Sequence, residues 1–127
     1  MTDIRKILHV EDDADIREIT YLALAEFGGF EVMQCSNGTE AIKKAAKFAP
    51  DLLLLDVMMP GLSGLETLAK LRRQDELADV PAIFMTSKDV TSKHHSDITE
   101  CAVGAIQKPF DPVALPDQLR AIVGKAE

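Results

Sequence analysis

Five side chains stand where chemistry is possible. Glu11, Asp12 and Asp13 directly follow the apolar run Ile7-Leu8-His9-Val10, Asp56 follows Leu52-Leu53-Leu54-Leu55, and Lys108 follows Ala105-Ile106-Gln107. If these runs are neighbouring strands of a parallel sheet, their ends point the same way. The acids and the ammonium then converge at the carboxyl edge, where open α/β sheets place their sites. Carboxylates this crowded repel one another, and a divalent cation or raised pKa values must relieve them. The spacing therefore points to a magnesium-type site.

Such a site needs a sheet to hold it, and the chain supplies the pattern. Short β-like runs alternate with amphipathic stretches throughout, as in a parallel sheet covered by helices on both faces. The runs at 6–10, 30–35, 51–56, 81–85 and 104–107 are the candidate strands. The third is apolar on both faces and is expected at the sheet centre. Between them, Ile16, Ile19, Ala23 and Phe27 mark the inward face of a first helix that ends at Gly28-Gly29. Ser36-Asn37-Gly38 opens a second helix, stopped by Pro50, with Ala41, Ile42, Ala45, Ala46 and Phe48 on its apolar face. Ser63 or Gly64 opens a third, with Leu65, Leu68, Ala69 and Leu71 inward. The stretch 91–99 is mostly poor helix former, so a short or mobile element is expected there. Asp111-Pro112 reads as an N-cap and first helical residue, but Pro116 would clash one turn later, which leaves Leu115 as an alternative start.

Composition narrows the function. With 127 residues, 46% hydrophobic content and a mean hydropathy of +0.02, the chain fits a single domain over 1–127 with a real core. A net charge of −7 and a pI near 4.9 argue against nonspecific binding to nucleic acid. Cys35 and Cys101 are too few for a disulfide framework or a zinc site, and read as small apolar residues in a reducing compartment. No signal-peptide pattern opens the chain and no apolar run approaches membrane-spanning length, so a cytoplasmic protein is expected, with no membrane partner.

Four separated motifs then occur in order: Val10-Glu11-Asp12-Asp13, Leu55-Asp56-Val57-Met58-Met59-Pro60-Gly61, Met85-Thr86-Ser87 and Lys108-Pro109-Phe110. Over essentially its whole length the chain resembles a response-regulator receiver domain. The resemblance implies a doubly wound, flavodoxin-like five-stranded parallel sheet of order 2-1-3-4-5 with five helices. It also implies a phosphorylation-dependent switch, with Asp56 as a carboxylate nucleophile forming an aspartyl phosphate. Asp12, Asp56 and the backbone carbonyl of Met58 would bind Mg2+ or Mn2+, with Glu11 helping through water. Lys108 and Thr86 would contact the phosphoryl oxygens. The Lys108-Pro109 bond would be cis. Asp13 reads either as an outer acid or as the N-cap of the first helix.

The partners so implied are a histidine kinase or histidine phosphotransfer protein as donor and a downstream protein as target, with the chain monomeric or dimerising on phosphorylation. No independent substrate turnover is expected. The short start and the stop soon after Val123 lead us to expect a stand-alone receiver without an output domain. One position departs from the family: an aromatic residue usually stands three positions before the lysine, and here it is Ala105. A methyl group has no rotamer to switch, so the signal is expected to travel by the backbone after Ser87. Met58 and Lys88 flank the pocket and are expected to influence the lifetime of the phosphorylated state. His94 and His95 read as solvated.

Three other functions compete. An aspartyl-phosphate phosphatase would want a second acid where Met58 stands. A flavodoxin-like cofactor binder would not place Glu11-Asp12-Asp13 at its phosphate loop. A degenerate receiver acting as a binding module would have lost a central residue, and none is missing.

Overall fold

The computed structural model describes residues 4–87 and 96–126; Lys88, Thr91, His94 and His95 lie outside the described residues. Strands β1 (Lys6–Val10), β2 (Glu31–Cys35), β3 (Leu52–Asp56), β4 (Ala82–Thr86) and β5 (Gly104–Gln107) form one parallel sheet in the order β2-β1-β3-β4-β5. Side chains alternate across the sheet, which gives two apolar layers. Leu8, Val10, Leu53, Leu55 and Phe84 pack on one face, with Ala41, Ala45, Leu68 and Leu71 from the helices. Ile7, Leu52, Leu54, Ile83 and Met85 pack on the other, with Ala23, Leu24, Leu115 and Leu119. Every residue of β3 is buried, as an unbroken apolar run in a central strand requires.

Helix α1 (Ala14–Tyr21) continues into a wide turn of π-helix over Leu22–Phe27, closed by the Gly28 N–H donating to the Ala23 carbonyl. The buried face differs from the one expected from apolar spacing. Thr20, Ala23 and Leu24 are buried, whereas Ile19 and Phe27 are largely exposed. The looser winding rotates Phe27 off the core, and Phe30 fills the position, with the Arg120 guanidinium 4.5 Å from its ring centre. Helix α2 (Gly38–Phe48) is capped by Asn37, and α3 (Gly64–Leu71) by a reciprocal pair in which Ser63 and Glu66 each accept from the other's backbone N–H. On α3, Leu68 and Leu71 are buried and Leu65 is half-buried as expected, but Thr67 takes the buried place expected of Ala69, and Ala69 is exposed. Helix α4 is described over residues 96–101, where Ile98 is buried and Cys101 is exposed, so only Cys35 packs as an apolar residue. Asp111 closes a turn by accepting from the Val113, Ala114 and Leu115 N–H groups, and α5 (Leu115–Ala126) begins after it. Pro116 then falls in the first turn, where no N–H is needed. Among the described residues, no helix is long and apolar enough to cross a membrane.

Candidate functional site

The register puts the candidate residues at one edge. Val10 pairs with Leu55, so Glu11 and Asp56 emerge side by side from β1 and β3. Asp56 pairs with Met85, which places Thr86 one step beyond, and Thr86 pairs with Gln107, just before Lys108. Ligand oxygens of Glu11, Asp12 and Asp56 lie within 4.8 Å of one another. The Lys108 ammonium donates to Glu11 Oε1 at 2.9 Å and pairs with Asp56 Oδ1 at 3.1 Å. The Lys108–Pro109 peptide is cis.

The loops explain why each carboxylate points where it does. Asp13 caps α1, its Oδ1 accepting from Asp15 N at 2.9 Å and Ile16 N at 3.1 Å. Of its two readings the structure takes the cap, and Asp13 stands outside the acidic cluster. Asp12 faces solvent, while Glu11 and Asp56 are nearly sealed. After Asp56 the chain passes Met58, whose side chain is 59% exposed, and turns through Gly61 at φ 76°. It returns at Gly64, whose N–H donates to the Val57 carbonyl at 2.8 Å. A cleft of about 760 Å³ opens beside Asp12, lined among others by Asn37, Lys43, Pro60 and Leu62.

Electrostatics follow from crowding in a place with little water. Burial pushes the Glu11 carboxyl up to about 7; the Lys108 hydrogen bond opposes this and the Asp56 carboxylate adds to it. Burial works against the charge on Lys108, but its hydrogen bond to Glu11 and the nearby Asp56 outweigh it and raise its pKa. One ammonium thus serves two carboxylates while a third stands at the mouth, which is the donor set and excess negative charge that suit a hard divalent cation. The Thr86 hydroxyl is buried and donates to the Ser87 carbonyl at 3.2 Å, a local bond it can exchange for a stronger acceptor. Ala105 is exposed on the edge strand, paired with Phe84.

Sequence reasoning missed three residues beneath the acids. Arg17 Nη1 donates to the carbonyls of Glu11 at 2.9 Å and Asp12 at 3.0 Å. Gln34 Nε2 donates to the Arg17 carbonyl at 2.7 Å and lies 3.0 Å from His9 Nδ1. Burial, with Lys108 and Arg17 nearby, lowers the His9 pKa to about 3, so the ring is neutral and Nδ1 accepts. A histidine inside an apolar strand was the one visible signal that a polar contact lay there.

Known proteins share this sequence pattern and fold. Residues 7–120 match the response regulator receiver domain family. The phosphate regulon transcriptional regulatory protein PhoB of Pseudomonas aeruginosa is 38% identical over 122 residues, 94% of this chain and 52% of that protein. The response regulator MprA of Mycobacterium leprae is 34% identical over 122 residues, 96% of this chain and 52% of that protein. The chain thus spans about half the length of these curated relatives. Among solved structures, the chemotaxis response regulator CheY4 of Vibrio cholerae superposes with a TM-score of 0.84 at 30% identity, over 94% of this chain and 99% of that one.

Proposed function

The chain belongs to the response regulator receiver domain family, whose members are phosphorylation-dependent signalling switches, and on that premise we propose that Asp56 is its phosphoacceptor. The reading is carried by one observation. The Asp56 carboxylate ends the central strand against Lys108, with Glu11 and Asp12 close enough to share a cation. Asp12, Asp56 and the Met58 carbonyl would hold Mg2+ or Mn2+ directly, with Glu11 acting through water. When bound, the metal supplies charge neutralisation between an anionic nucleophile and an anionic donor.

The chain's own groups do the rest. An Asp56 carboxylate oxygen forms the new P–O bond while the P–N bond of a phosphohistidine breaks, and the electron pair leaves with the imidazole nitrogen, which is then protonated. Lys108 already touches Asp56 and turns its ammonium to the incoming phosphoryl oxygen. Thr86 gives up the Ser87 carbonyl for a second phosphoryl oxygen and draws its loop inward. With Ala105 in place of an aromatic, the movement passes through the backbone after Ser87. Met58 beside the acceptor, and Lys88 two residues beyond Thr86, tune the lifetime of the acyl phosphate. The donor is a histidine kinase or phosphotransfer protein and the target another protein, both met in the cytoplasm.

Intact mass after incubation with acetyl phosphate, with and without Mg2+, tests the proposal. Wild type gains one phosphoryl group only with metal, and Asp56→Asn gains none. No gain in wild type from either acetyl phosphate or a phosphohistidine protein contradicts it.

A further inference from the structure

The three residues beneath the acids form a continuous brace. Residues 11–13 carry three consecutive carboxylates, which repel one another and have no intrinsic reason to converge. Two of their carbonyls share one guanidinium nitrogen, Arg17 Nη1. Arg17 is itself held, because its own carbonyl accepts one Gln34 amide proton while the other faces His9 Nδ1. His9 sits on β1, fully buried, and Gln34 is its register partner on β2. The sheet therefore reaches through Gln34 to α1, and through Arg17 to the peptide planes from which Glu11 and Asp12 project.

We propose that Arg17 is a positioning residue for the divalent cation, fixing the backbone of residues 11–12 so that their carboxylates meet Asp56 before the ion arrives. This rests on the acidic cluster being a cation site. The sign of the effect separates positioning from mere charge. Arg17 directs a positive group at the acid loop, so on Coulombic grounds alone its removal would tighten cation binding. Positioning demands the opposite. Groups that orient metal ligands typically contribute about 10- to 100-fold in affinity, and a backbone brace belongs at the lower end of that range.

The experiment is calorimetric titration of the full chain with Mg2+ at one pH above 8, for wild type, Arg17→Met, Arg17→Lys, Gln34→Met and Asp56→Asn, with circular dichroism as the check on folding. Arg17→Met weakens Mg2+ binding by about tenfold, Arg17→Lys less, and Gln34→Met by a few-fold in the same direction. The Mg2+ concentration that gives half-maximal phosphoryl uptake from acetyl phosphate rises by a similar factor in Arg17→Met and by less in Arg17→Lys. Unchanged or tighter Mg2+ binding in Arg17→Met, with wild type binding normally, overturns the role of Arg17 alone. If Arg17→Met does not fold, wild-type affinity in both Arg17→Lys and Gln34→Met overturns it equally. Absence of Mg2+ binding by wild type, or undiminished binding by Asp56→Asn, overturns the cation site itself.

Discussion

Gly64 is the tightest joint between the strand that ends at Asp56 and the helix that follows, and replacing it with alanine tests the site's architecture. A Cβ there would stand 2.1 Å from the Asp56 carbonyl oxygen, 2.9 Å from its carbon and 3.0 Å from Val57 Cα. All three are backbone atoms, so no side chain can rotate away. The Gly64 N–H to Val57 carbonyl bond and the β3 ladder hold them in place. Overpacking costs about 1–3 kcal/mol, and a clash with fixed backbone sits near the top. Setting against it the ~1 kcal/mol that alanine gains over glycine in a helix leaves a net loss of about 2 kcal/mol. An unfolding entropy of about 0.27 kcal/mol/K for 127 residues converts this to a Tm about 7 °C lower. Gly124, in α5, has nothing within 4 Å of the same added atom. Gly124→Ala should therefore raise Tm by about 2–4 °C. Thermal melts followed by circular dichroism read both shifts. Below either transition, Gly64→Ala should also take up phosphoryl groups about 10- to 100-fold more slowly, since moving Asp56 by even 1 Å is costly. A Gly64→Ala melt within about 1 °C of wild type, or shifts of the same sign at the two glycines, would refute the reasoning.

Further outcomes follow from the electrostatics and from the cation site. His9 is held neutral with a pKa of about 3 against an ordinary 6.5, so the unfolded chain takes up the proton first. Its contribution to stability is complete above pH 6.5 and is lost as pH falls toward 3, by up to on the order of 4 kcal/mol. In denaturant titrations His9→Leu should therefore gain on wild type by about 1.4 kcal/mol per pH unit below 6.5; parallel pH profiles would contradict this. Glu11 acts in the opposite sense, its raised pKa favouring folding below 4.5 and weakening it as pH rises through about 7, so the metal-free wild type should be flatter than either group alone implies. Magnesium at ten times its dissociation constant should stabilise the fold by about 1.4 kcal/mol, or about 5 °C in Tm. Asp56→Asn should lose most of that gain, and an equal shift in both proteins would place the ion elsewhere.

Much of the framework is legible in local pattern because it is made locally. The bounds of β1 and β5, the burial of β3 and the caps at Asn37 and Ser63 follow from apolar runs and from side chains that reach only a few residues along the chain. The sheet order came from the family resemblance, since nothing in a single strand states its neighbours. The misreading of α1 has two causes: before the π turn the inward residue is Thr20, four on from Ile16, with Ile19 beside it on the flank, and within the turn the wider winding carries Phe27 off the core. The acids were visible because each ends a strand. Arg17 and Gln34 were not, because their contacts join residues whose proximity exists only after β1, β2 and α1 have packed.

The central claim is that Asp56 itself carries the phosphoryl group, and trapping the acyl phosphate tests it most directly. Borohydride reduces an aspartyl phosphate to homoserine with loss of phosphate and leaves a free carboxylate untouched. After phosphorylation in Mg2+, reduction and proteolysis, peptide mass spectrometry should find homoserine at position 56 and aspartate at positions 12 and 13. Homoserine at another acid, or aspartate at 56 in protein that had gained a phosphoryl group, would contradict the account.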